Sequence, residues 1–94
     1  MNDYRIAQLK VGYWTVCIDE IQSEANFEIV QRDFHCFKYD SMGKPINEHF
    51  QDLLECIEFA QLNSGMLVFG YPELEQLSRM AQVFWAERIG GSVA

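Results

Sequence analysis

Between Ile46 and Leu62 the apolar residues Ile46, Phe50, Leu53, Leu54, Ile57 and Ala60 recur at helical spacing, while Glu48, Asp52 and Glu55 fall on the reverse side. At roughly 100° per residue the two sets separate into an apolar stripe and an acidic back, which predicts one amphipathic helix over about 47–62. Asn47 suits its N-cap, Glu48 its first turn, and Asn63-Ser64-Gly65 its end. A second helix is expected from about 72 to 89. Pro72 stands at a first helical position, Glu73 and Glu75 favour the positive end of the dipole, and Gly90-Gly91 supplies the stop. Leu74, Leu77, Met80, Ala81, Phe84, Trp85 and Ile89 span near half its circumference, more than one packing face needs. Trp85, with Met80 and Ile89 at the flanks, is therefore a candidate self-association or partner surface, set against packing of both flanks on a sheet and on Met66 to Phe69.

The first third alternates on the shorter period of a strand. Tyr4 to Leu9, Tyr13 to Ile21 and Phe27 to Tyr39 carry β-branched and aromatic residues between turn signals. Trp14, Val16 and Ile18 occupy one face of the second segment, with Tyr13 and Thr15 turned outward. Gly12 marks a hairpin or a bulge. The apolar phase slips around Gln31-Arg32-Asp33, which predicts a bulge or turn there, and Asp40-Ser41-Met42-Gly43-Lys44-Pro45 is the strongest turn signal in the chain. Met66 to Phe69 is too short for periodicity to decide between strand and connector. The pattern as a whole predicts an α+β two-layer domain, a small antiparallel sheet of three or four strands covered on one face by two helices, strands first.

Length and composition fit that outline. Ninety-four residues hold one domain, 1–94, with one core, and 49% hydrophobic residues with seven Phe, four Tyr and two Trp suffice to build it without staples. Cys17, Cys36 and Cys56 are odd in number and widely spaced, and no leader-like or membrane-length apolar run is visible, so three buried thiols in a reducing, cytoplasmic setting are expected. Cys17 and Cys36 are near enough in pattern to face each other on neighbouring strands.

Charge narrows the partners. Fourteen acidic against seven basic side chains give a net −7, and Arg5, Lys10, Arg32, Lys38, Lys44, Arg79 and Arg88 are scattered. No basic stripe exists for phosphate, so direct nucleic-acid binding is not expected even though Phe34, Phe37, Tyr39 and Tyr13 resemble a stacking platform. A row of Glu48, Asp52, Glu55 and Glu58 on the first helix would instead select a basic protein surface.

Candidate chemistry is sparse. His35 and Cys36 are adjacent and so point to opposite faces of a strand, and a Cys56–His49 pair on one helix lacks an orienting third group. The acid pairs Asp19-Glu20 and Glu48-Asp52 read as solvated, and neither a nucleophile elbow nor a phosphate-cradling glycine loop is present. No metal, cofactor or catalytic residue is assigned. The expected function is therefore that of a small acidic regulatory domain that binds a protein partner, self-associates and acts by occlusion or scaffolding. Two alternatives stand beside it: a phage- or plasmid-type inhibitor whose acidic face imitates DNA, and a small enzyme or small-molecule binder using the sheet aromatics and His35.

Overall fold

The computed structural model describes residues 2–23, 29–66 and 70–90, with the side chains of 2, 29, 30 and 88–90 left aside. Four strands, β1 (Asn2–Val11), β2 (Trp14–Gln22), β3 (Ile29–Tyr39) and β4 (Pro45–Phe50), precede two helices, α1 (Leu53–Leu62) and α2 (Pro72–Gly90). The strands pair antiparallel in the order β1-β2-β3-β4, a meander whose edges, among the described residues, are β1 and β4. Both helices pack on one face, which makes the α+β two-layer architecture a property of the chain.

Local chemistry explains the meander. Gly12 adopts φ +65°, a left-handed conformation that lets β1 turn into β2, and the next amide, Tyr13 N–H, donates to Ser64 Oγ at 3.0 Å. Between β3 and β4, Asp40 Oδ1 accepts from the amides of Met42 and Lys44, both at 2.8 Å, while Gly43 takes φ +82°. β2 alternates as its sequence predicts, with Trp14, Val16 and Ile18 buried toward the helices.

One helix boundary moves. Residues 45–50 extend as β4, with Phe50 opposite Phe34 and His49 opposite His35, and α1 begins at Leu53 rather than near Asn47. Ile46 and Phe50 lie four apart, so they share a face under either period, and both are half-buried in the strand. The tight Asp40 turn decides the matter by laying the following residues directly along β3. Asp52, extended at φ −129° and ψ 132°, becomes the N-cap, accepting from the Leu54 amide at 3.3 Å. The phase slip in β3 also sits elsewhere. Residues 31–33 stay in register, and the extra residue is Val30, between Ile29 opposite Gln22 and Gln31 opposite Ile21.

The core lies between sheet and helices. Ile57 of α1 and Leu77 of α2 are fully buried against the β1–β3 surface, each stabilising the fold by about 1.5–3 kcal/mol. Trp14 meets Phe59 edge-on at 5.1 Å, and Phe59 in turn meets Phe50 at 5.3 Å, which ties α1 to the inner strand β2 and to β4. Cys17 and Cys36 lie on opposite faces, because Cys17 pairs with His35 and Cys36 with Val16. All three cysteines are free and buried, and Cys36 shares a hydrogen bond with Cys56 instead. Among the described residues no helix is long and apolar enough to cross a membrane.

Candidate functional site

Among the described residues, the sheet face opposite the helices carries a dense cluster of chemistry-bearing side chains. Alternation sends Arg5, Asp19, Asp33, His35 and His49 to that face, and the register sets Asp19 opposite both Arg5 and Asp33, and His35 opposite His49. His35 Nδ1 lies 3.2 Å from Asp33 Oδ2 and 3.5 Å from Asp19 Oδ2, and His49 Nδ1 lies 3.1 Å from Asp33 Oδ2. Arg5 closes the far side: its Nε donates to Asp19 Oδ1 at 3.0 Å and its Nη2 contacts His35 Nε2 at 3.3 Å. The hydrogen bond to Asp19 raises the Arg5 pKa above its ordinary value, and the guanidinium also stands 6.0 Å from the Phe37 ring centre. A guanidinium only donates, so His35 Nε2 accepts and Nδ1 carries the proton toward the two carboxylates. Beside this network Cys17 is buried, and burial pushes its thiol up to about 11.

A second feature lies at the sheet edge. Among the described residues β1 is paired only with β2, and α2 packs chiefly over it, leaving a groove of about 790 Å³ lined by Ile6, Ala7, Met80, Val83 and Phe84 with Arg5, Arg79 and Glu87 at its polar margins. Met80 and Val83 are exposed. β1 also bulges at Ile6, where Arg5 pairs with Asp19 and Ala7 with Ile18.

The residues expected to bind a partner are spread over different surroundings. Trp85 is half-buried, packed edge-on against Tyr4 at 5.7 Å and Phe84 at 4.9 Å, and its Nε1 donates to Glu20 Oε2 at 2.8 Å. Met80 lines the β1 groove, while the Ile89 side chain lies outside the described residues. Glu48 is exposed on β4, Asp52 caps α1, Glu55 is exposed on α1, and Glu58 accepts from Tyr71 O–H at 2.8 Å. The four carboxylates therefore form no single helical row, because Glu48 and Asp52 precede the helix.

Two residues escaped the sequence reading. Glu20, read as solvated, is fully buried: Arg32 Nε donates to its Oε1 at 3.0 Å, and Arg32 Nη2 bonds the same oxygen. Its signal was the continued alternation of β2, which carries the Trp14, Val16, Ile18 face on to Glu20. Asp33 was read only as part of a bulge. Its two-residue spacing from His35 would have placed both on one strand face, whereas His49 became visible there only once 45–50 was extended. Comparison with protein-family models, curated proteins and solved structures finds no match to the chain.

Proposed function

We propose that the chain is a protein-interaction domain that self-associates along the β1 edge. The observation that carries this reading is a ten-residue edge strand flanked by an apolar groove under exposed Met80 and Val83. A strand edge of this kind can accept a further strand, and the groove offers apolar surface beside it. The occupant with matching charge is a second copy. When two β1 strands run antiparallel with the dyad at the Ile6–Ala7 bulge, Asp3 meets Lys10, Tyr4 meets Leu9 and Arg5 meets Gln8. The bulge puts two residues where a regular strand has one, so each of these pairs shares a face. Arg5 and Lys10 on this strand also temper the repulsion between two chains of net charge −7.

Sedimentation across a range of concentrations tests the reading, with a reversible dimer as the expected result. Each dimer holds two Asp3–Lys10 pairs, so Asp3→Lys or Lys10→Asp alone replaces attraction by repulsion and weakens association about tenfold. The double exchange restores it. A monomer at every concentration, or a dimer indifferent to the single exchanges, refutes the proposal.

A further inference from the structure

We propose that Asp33, His35 and His49 form a site for a divalent transition-metal ion of the zinc type, with Asp19 as a fourth ligand and Arg5 as the group that must yield when the ion enters. The ligands come from neighbouring register positions on β2, β3 and β4, a rigid support that loops would not provide. One donor atom from each of Asp33, His35 and His49 lies within 4.8 Å of the others. Zinc ligands bound at about 2.0–2.2 Å in a tetrahedron stand roughly 3.3–3.5 Å apart. Three of the six edges already lie near that length: His35 Nδ1 is 3.2 Å from Asp33 Oδ2 and 3.5 Å from Asp19 Oδ2, and His49 Nδ1 is 3.1 Å from Asp33 Oδ2.

Donor type sets the class of ion. Two imidazoles with one or two carboxylates suit zinc, cobalt or nickel, whereas calcium and magnesium prefer oxygen alone. Access is provided as well. The His35 side chain is only 8% exposed, which holds its ring in place, while the His49 side chain is 62% exposed and forms the open side through which an ion and a water ligand enter.

Arg5 determines how easily the site fills. With Arg5 in place, Nδ1 of His35 bears the proton. Binding through Nδ1 requires that proton to leave to solvent and Nε2 to take one up, so the imidazole stays neutral but then directs an N–H at the Arg5 guanidinium. Two donors facing each other repel, and the half-exposed Arg5 side chain must swing aside, freeing Asp19 to complete the shell. An acceptor in place of Arg5 would instead support the bound tautomer, as carboxylates and carbonyls do behind metal-ligating histidines.

Calorimetric titration of the full chain with zinc, paired with the visible absorption of the cobalt form, tests the proposal. One ion per chain is expected, with affinity lowered at least tenfold in His49→Gln and in Asp33→Asn. Arg5→Gln, whose side-chain carbonyl accepts from Nε2–H, is expected to bind about tenfold more tightly than the parent. Circular dichroism of each variant separates ligand loss from unfolding. The exposed position of His49 makes His49→Gln the informative variant should Asp33→Asn fail to fold. Stoichiometric binding that survives His49→Gln overturns the site, as does the absence of binding in both the parent and Arg5→Gln. Weaker binding in folded Arg5→Gln overturns the assigned role of Arg5.

Discussion

Replacing Trp85 by Phe removes the indole N–H and one of its two fused rings while keeping an aromatic side chain, and that makes it a direct probe of how α2 is held. The indole nitrogen donates at 2.8 Å to Glu20, a carboxylate with 0% exposure whose other oxygen is held by Arg32. A hydrogen bond to a charged group contributes about 1.5–3 kcal/mol, and an oxygen stranded in the interior cannot recover that from solvent. The ring contacts with Tyr4 and Phe84 survive in part, because Phe keeps an aromatic edge there. The expected loss is therefore about 2 kcal/mol. For a 94-residue domain that corresponds to a fall in Tm of roughly 8–16 °C. Urea unfolding followed by circular dichroism should show the midpoint falling with an unchanged slope, at one fixed protein concentration so that association does not confound it. A double-mutant cycle with Glu20→Gln isolates the pair. A variant within about 0.5 kcal/mol of the parent would refute the buried pairing, and Trp85 would then return to the partner-binding role its position in the sequence suggests.

Three further substitutions test the fold around the sites. Gly43→Ala should lose about 1–2 kcal/mol from left-handed strain alone, since open space surrounds it, whereas Gly12→Ala adds an overpacking cost of about 1–3 kcal/mol. At Gly12 the new Cβ would lie 2.1 Å from Ser64 Oγ, which is fixed by its bonds to Tyr13 N–H and Ala60 C=O; equal melting temperatures for the two variants would contradict this. Cys17 should make the domain alkali-sensitive. Its folded pKa of about 11 exceeds the ordinary 9.0, so its contribution is complete below pH 9 and is lost as pH rises toward 11, by up to about 3 kcal/mol. Cys17→Ala should flatten that part of the stability profile, while Cys56, pushed up by its hydrogen bond with Cys36 and by burial, preserves the remainder. An unchanged profile in Cys17→Ala would disprove the assignment.

Much of the layer plan was legible because strands and helices impress different periods on the chain, and Trp14, Val16, Ile18 and Leu77 obey them. The stretch from Ile46 to Phe50 was not, since residues four apart satisfy both periods and the deciding influence is the Asp40 turn just before it. That ambiguity hid the metal-like cluster. With His49 assigned to a helix, His35 had no neighbour of its kind, and only the β3–β4 register brings the two together. Glu20 failed for a different reason. A carboxylate in an apolar alternation normally argues for solvent, and its burial depends on Arg32 and on Trp85, which lies 65 residues away.

The lopsided seat of α2 has a consequence for motion. It rests mainly on the edge strand β1 and touches α1 little, while β2 and β3 are flanked by strands on both sides. Cooperative opening can thus begin at one end of the molecule: α2 can lift as a unit while the four-stranded sheet and α1 stay folded. Amide exchange should register this as a gradient, fastest along α2 and slowest in β2. The Trp85–Glu20 bond then acts as the latch that sets how often the helix leaves its seat.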